Sequence, residues 1–339
     1  MDDAQNGRGG GAGASRAAEA SRKPDAGGKT EHEAACDAGT ATGLQAETSA
    51  AAETGPEAEA PTNAKLAPLA TWLQQHAPLA IGFSGGVDST FLAAVCARSI
   101  PEQTLLVHIA SPFITTPELQ SCEREAQRLG LPIVHIPFDP LAHPRIVCNR
   151  RDRCYHCKRA IFEQVVAAAR EHGCGIVADG SNADDSPADR PGMYALAELG
   201  VSSPLRDTGW RKREERDLLR AWGHEVWNLP AGACLATRIA PGNPLSARAL
   251  EQVRAAEGYL HELGLAQVRV RLAGGTARIQ AGERELATLA GMAARERPAS
   301  SNDVGNGPVP IPHSVATHLE ALGLPLQDGD GVVSYRMGT

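Results

Sequence analysis

Aromatic side chains are scarce in this 339-residue chain, at 4% of the total, and its hydrophobic share of 42% is carried mainly by aliphatic and small residues. No uninterrupted apolar run reaches the roughly 18 residues that a membrane-spanning helix needs, so no membrane partner is expected. A basic excess is also missing. The chain has 33 Lys+Arg against 40 Asp+Glu and a formal net charge of −7, which argues against a nucleic-acid partner. The opening residues, MDDAQNGRGG, lack the apolar stretch of a secretory signal, and a cytoplasmic location is expected. In that compartment the 8 cysteines point to free thiols, metal ligands or catalysts rather than disulfides.

The charge is unevenly spread. Residues 1–63 hold 11 acidic and 5 basic residues, which leaves the remainder nearly neutral. This first stretch contains a single Leu and no Val, Ile, Phe, Trp or Tyr, so it has too little apolar surface to offset the entropy of ordering. It reads as a disordered, solubilising tail. From residue 64 onward, short apolar strands alternate with helical patterns. Strands are expected at Leu79–Phe83, Thr104–Ile109, Pro132–Ile136 and Gly175–Asp179. Helices are expected at 66–76, 91–97, 117–129 and 155–172, with an irregular basic loop over 137–154. That alternation predicts an α/β fold with a parallel sheet covered on both faces, whose ligands bind beyond the carboxyl ends of the strands. A long polar loop follows Gly180, and a charged helix spans 211–222. A smaller α+β unit is expected over 244–339, with a helix at 247–263, a hairpin over 267–280, a helix at 283–294 and a flexible insertion at 297–309. The expected organisation is therefore a tail (1–63), a main domain (64–243) and a smaller domain (244–339).

Two motifs carry chemistry. Ser84-Gly85-Gly86-Val87-Asp88-Ser89-Thr90 links a strand to a helix. Adjacent glycines let an anion approach the backbone, and the amides and dipole of a helix N-terminus favour negative charge. No Gly-Lys-Ser/Thr ending is present, which excludes the common nucleoside-triphosphate loop. Asp88 can serve either as a helix cap or as a magnesium ligand. The second motif is Cys154-Tyr155-His156-Cys157, flanked by Arg153 and Lys158 at the mouth of a helix. Two thiols so spaced can meet one metal or cluster, and cationic neighbours favour thiolate. No second Cys-x-x-Cys follows, so a four-cysteine zinc site is not spelled out. Cys234, in the loop-rich stretch 228–244, is the candidate third thiol; Cys148 is a spare, and Cys96, Cys122 and Cys174 read as ordinary buried thiols.

SGGVDST matches the signature of the PP-loop ATP pyrophosphatases. Taken with DRCYHCK at 152–158, DGSNADD at 179–185, DRPG at 189–192, ACLATRIAPG at 233–242, VRVRLAGGTARI at 268–279 and YRMGT at 335–339, the chain resembles the LarE family of ATP-dependent sulfur transferases within that superfamily. The resemblance implies a PP-loop ATP pyrophosphatase domain, with ATP held by residues 84–90. It implies oxygen contacts to ATP or Mg²⁺ from Ser181, Asn182, Asp184 and Asp185. It implies arginines at 190, 238, 269, 271 and 336 for a substrate phosphate and carboxylate. The implied substrate is a pyridinium-3,5-biscarboxylic acid mononucleotide. Its carboxylate is adenylated and converted to a thiocarboxylate during assembly of the nickel-pincer nucleotide cofactor. Sulfur comes either from Cys234 itself or from a [4Fe-4S] cluster on Cys154, Cys157 and Cys234; the presence of all three favours the cluster. A homo-oligomer is also implied. Leu272-Ala273 departs from the His-Gly pair often found there, and residues 297–309 look inserted. Alternatives within reach of these motifs are a tRNA-thiolating enzyme, an ammonia-using amidotransferase or synthetase, and a non-catalytic nucleotide sensor.

Overall fold

The computed structural model describes residues 59–186, 191–230, 232–296, 308–326 and 331–335. Residues 1–58 of the expected tail, with Cys36, lie outside these residues, as do Arg190, Arg336 and nearly all of the expected insertion; residues 59–63, expected to belong to the tail, instead open the first helix.

The chain begins with helix α1 (Glu59–His76) and enters strand β1 (Leu79–Gly82). Helix α2 (Val87–Ser99), β2 (Thr104–Ala110), α3 (Thr116–Leu129) and β3 (Ile133–Pro137) follow. A short helix α4 (Pro144–Val147), the long helix α5 (Arg153–Glu171) and β4 (Ile176–Ala178) complete the first sheet. Its four strands are all parallel, in the order β3-β2-β1-β4. The chain therefore works outward from β1 to β3 and then crosses to the other side of β1. Such a reversal opens a crevice at the carboxyl ends of the two strands flanking it, which is where ligands bind in open α/β sheets. The SGGVDST turn leaves β1 at that point.

Burial on both faces explains why the strands are apolar throughout. Leu79, Ile81 and Leu106 pack with Phe91, Trp210 and Leu219 on one side. Their neighbours Ala80, Leu105 and Val107 pack with Phe162 and Val165 on the other. This is the two-residue alternation of a strand, apolar in both directions.

Beyond β4 the expected polar loop contains two short helices, α6 (Gly192–Glu198) and α7 (Pro204–Asp207). Met193, Ala195 and Leu196 of α6 are buried, but two turns are too few to display a helical period in sequence. Helix α8 (Lys212–Ala221) follows. The remaining elements are α9 (Ala247–Glu262), β5 (Val268–Ala273), β6 (Thr276–Ala281), α10 (Glu283–Glu296), α11 (His313–Ala321) and β7 (Val333–Ser334). β5 and β6 form a hairpin closed by Gly274 and Gly275, both at positive φ, as a tight two-residue turn requires. β7 pairs in parallel with β6, and a separate core of Val270, Ile279, Leu289, Val315 and Leu319 underlies this sheet. Among the described residues, no helix is long and apolar enough to cross a membrane.

Candidate functional site

The turn after β1 is held by its own hydroxyls. Ser84 Oγ lies 3.1 Å from Ser89 Oγ, and Ser89 Oγ donates to the Gly86 carbonyl at 3.3 Å. Helix α2 starts at Val87, four residues earlier than its apolar residues suggest, and its N-cap is Gly86, which has no side chain to cover the first-turn amides. Gly85 sits at φ 76°, and a Cβ there would come within 2.6 Å of the Cys122 backbone. A Cβ on Gly180, at the exit of β4, would come within 2.8 Å of the Ser89 amide. Glycine at both positions lets three chain segments close around the turn.

Behind the turn lies a polar network in which Lys212 and Glu215, not singled out from the sequence, join Asp88, Asn182, Asp184 and Asp185, which were. Asp88 Oδ1 accepts from Asn182 Nδ2 at 3.2 Å, and Oδ2 accepts from Lys212 Nζ at 2.9 Å. Glu215, fully buried on α8, stands beside Asp88; its Oε2 takes a 3.4 Å contact from Asn182 Nδ2, and its Oε1 has no hydrogen-bond partner among the described residues. Burial, followed by the neighbouring Asp88, pushes the Glu215 carboxyl up to about 10. Asp185 Oδ2 accepts from the Asn182 amide at 3.1 Å and Asp184 Oδ2 from the Lys212 amide at 2.9 Å. Ser181 is buried and donates to Asp179 at 2.5 Å. Thr90 is buried beneath the turn.

The thiols reach this region from two directions. Helix α5 opens at Arg153, so Cys154 and Cys157 share a face of its first turn. Buried Arg153 donates to Asn149 Oδ1 at 2.6 Å and to the Ala236 carbonyl at 2.8 Å, and it lies 3.5 Å from Cys154 Sγ. Asn149 adopts φ 51°, which brings its Nδ2 within 3.3 Å of the Ile239 carbonyl, 3.0 Å of Ala240 and 2.9 Å of Asn243. Asn149 and Arg153 thus tie the start of α5 to the loop that carries Cys234. That loop is also pinned by the Leu235 amide donating to the Phe113 carbonyl at 2.8 Å. Burial raises the Cys157 thiol to about 12, with further contributions from Cys234 and Cys154. Burial likewise raises the half-buried Cys234, against the opposing pull of Arg153. Among the described residues, no group of three or more His, Cys, Asp or Glu is arranged to hold a single metal ion.

One cavity of about 350 Å³ joins these parts. Its walls include Ser84, Asp88, Ser89, Asp185, Cys157 and Cys234. Exposed Cys154 is not among its lining residues, nor is Cys148, which donates to the Arg145 carbonyl at 3.6 Å.

A smaller cavity of about 50 Å³ lies nearby, lined in part by Arg238, Glu257, Arg269 and Tyr335. Buried Arg238 forms a two-pronged pair with Glu257, at 2.7 and 3.0 Å, and also donates to the Ala233 carbonyl at 2.8 Å. Most of its donors are therefore engaged by the protein. Arg269 stacks over Tyr335 with its guanidinium carbon 4.0 Å from the ring centre. Arg271 donates to Gln280 at 2.7 Å and to the Thr237 carbonyl at 3.0 Å. Burial, then mutual repulsion with Arg238, lowers the pKa of both Arg269 and Arg271. Three crowded guanidiniums make this corner attractive to anions.

The chain is 34% identical over 200 residues to an uncharacterized protein of Synechocystis sp., an overlap covering 59% of this chain and 75% of that relative. It is 30% identical over 217 residues to the pyridinium-3,5-bisthiocarboxylic acid mononucleotide synthase of Lactiplantibacillus plantarum, covering 64% of this chain and 79% of the synthase. The chain belongs to the LarE-like family. A third relative, an uncharacterized protein of Methanocaldococcus jannaschii, is 28% identical over 191 residues, or 56% of this LarE-like chain and 72% of the relative. No family model matches the chain.

Lys212 and Glu215 had no motif to betray them. In sequence, α8 reads as a solvated charged helix; only the fold turns Lys212 and Glu215 toward Asp88.

Proposed function

We propose that this protein is an ATP-dependent sulfur transferase acting in nickel-pincer nucleotide cofactor biosynthesis. It adenylates a carboxylate of pyridinium-3,5-biscarboxylic acid mononucleotide and converts it to a thiocarboxylate. The observation that carries the reading is the single cavity lined by both the SGGVDST turn and the thiols of Cys157 and Cys234. Membership of the family of a pyridinium-3,5-bisthiocarboxylic acid mononucleotide synthase supports the choice of substrate.

The chemistry requires an activated acid, because a free carboxylate would have to expel oxide. A carboxylate oxygen attacks the α-phosphorus of ATP, and the bond to the bridging oxygen breaks to release pyrophosphate. The amides at the start of α2, with Lys212 beside them, neutralise the charge that builds on the departing group. Sulfur then attacks the acyl carbon, and AMP leaves. Arg269, on the wall of the smaller cavity, receives the substrate phosphate or second carboxylate, with Arg238, held by Glu257, and Arg271 adding positive charge beside it. Magnesium needs only one or two carboxylates besides the phosphates; Asp185, on the cavity wall, and Asp88 are the candidates.

Two sulfur sources fit the residues. Cys234 lines the cavity and can give up its own sulfur: its thiolate displaces AMP to form a thioester, then loss of the Cα proton breaks the Cβ–Sγ bond, releasing the thiocarboxylate and leaving dehydroalanine. Cys154, Cys157 and Cys234 also form a donor set for a [4Fe-4S] cluster. Cys154 and Cys234 are close enough to help raise the Cys157 thiol, and Arg153 stands beside Cys154. When bound, such a cluster supplies a transferable sulfide at the iron that no protein thiol occupies.

The test is product analysis with anaerobically purified protein. Supplied with ATP, magnesium and the pyridinium dicarboxylate, it should release AMP and pyrophosphate in step with thiocarboxylate. Failure to form AMP with any pyridinium carboxylate overturns the reading. Iron and sulfide analysis, together with the mass of Cys234 after turnover, distinguishes the two sulfur sources.

A further inference from the structure

The two cavities have one lining residue in common, Glu118. It stands in the first turn of α3, and Thr115 Oγ1 donates to its Oε2 at 2.9 Å. The other oxygen, Oε1, faces two loops at once. A Cβ built on Gly86 of the phosphate turn would lie 3.8 Å from it, and one built on Gly232, two residues before Cys234, would collide with it at 2.1 Å. One carboxylate oxygen therefore sits where the nucleotide loop, the sulfur loop and the arginine corner converge.

Other carboxylates line each cavity, Asp88, Asp179 and Asp185 in the first and Glu257, paired with Arg238, in the second, but Glu118 borders both. The turn after β1 favours phosphate, and so do Arg238 and Arg269. A carboxylate between them repels a wholly anionic ligand. It suits a ligand that carries a positive charge between two negative ends. An N-substituted pyridinium carboxylate has that pattern, with its cationic ring between the phosphate and the carboxylate to be activated.

We infer that Glu118 is a specificity-determining residue that faces the cationic ring of the substrate, selecting pyridinium over uncharged rings of the same shape. The inference rests on the proposed function and deepens it. Thr115 holds the carboxylate in place, and the absence of a side chain at Gly232 leaves room for it.

The experiment is calorimetric titration of the full-length protein with two probes. One is nicotinic acid mononucleotide, whose ring is cationic. The other is its dihydro form, with the same carboxylate and phosphate on a neutral ring. The wild type should bind the cationic probe about tenfold more tightly than the neutral one. Glu118→Gln, which keeps the shape and can still accept from Thr115, should bind both alike, with the loss falling on the cationic probe. Gly232→Ala, which displaces the carboxylate, should lose the preference too. Thermal melting of each variant checks that the fold is intact. Equal binding of both probes by the wild type, or a preference that survives Glu118→Gln, overturns the inference. So does a Glu118→Gln defect confined to the magnesium dependence of ATP use. If the wild type binds neither probe, the pyridinium-carboxylate reading of the site fails, and this inference with it.

Discussion

Glu215 offers a prediction whose size follows from its surroundings. Its side chain is fully buried, and burial together with Asp88 raises its carboxyl from 4.5 to about 10. In the unfolded chain the group is ionised above its ordinary pKa; in the folded protein it stays protonated. Folding between these values must take up a proton. Stability from this group is thus complete below pH 4.5 and is lost as pH rises toward about 10. The slope is about 1.4 kcal/mol per pH unit, so roughly 3 kcal/mol is lost by neutral pH. Glu215→Gln removes the proton uptake while keeping a group that can donate to Asp88. Urea denaturation of wild type and variant from about pH 5 to about pH 8 measures the difference. The variant should gain on the wild type as pH rises, by up to about 1.4 kcal/mol per unit. A stability difference that does not change with pH would refute the reasoning, as would a variant that loses ground at the alkaline end.

Further outcomes follow from the same geometry. Arg238→Ala strips the partner from buried Glu257 and should cost about 3–5 kcal/mol in denaturant unfolding. Gly85→Ala forces a positive φ on a residue whose Cβ meets the Cys122 backbone, so ATP binding should weaken by at least about tenfold in titration calorimetry. Asn149→Ala removes the donor that reaches three carbonyls of the Cys234 loop and should destabilise the fold by about 2–4 kcal/mol, seen as a lower denaturation midpoint. Cys234→Ala should still release pyrophosphate from ATP and the pyridinium substrate but form no thiocarboxylate, as followed by mass spectrometry.

Much of the main sheet was legible in the sequence because its cues are local. Each strand is a short apolar run, and each run feeds a helix with an amphipathic or apolar pattern. Boundaries were less legible. Helix α2 begins within the phosphate turn at Val87, where Asp88, Ser89 and Thr90 interrupt any apolar period. Helix α5 starts at Arg153 because Asn149 and Arg153 anchor it to a distant loop. The short helices α6 and α7 gave no readable period.

The site divides along the same line. Sequence alone determined the glycine turn between a strand and a helix, the spacing that sets Cys154 and Cys157 on one helical face, and the absence of a lysine in that turn. These depend on residues within a few positions of one another. Tertiary structure decided that Lys212 reaches Asp88 across 124 positions, that Arg153 meets the loop of Cys234 across 83, and that Glu118 stands between two cavities. Contacts at such separations leave no periodicity in the chain. They arise only when the parallel sheet brings its strand ends, and the loops beyond them, to one edge.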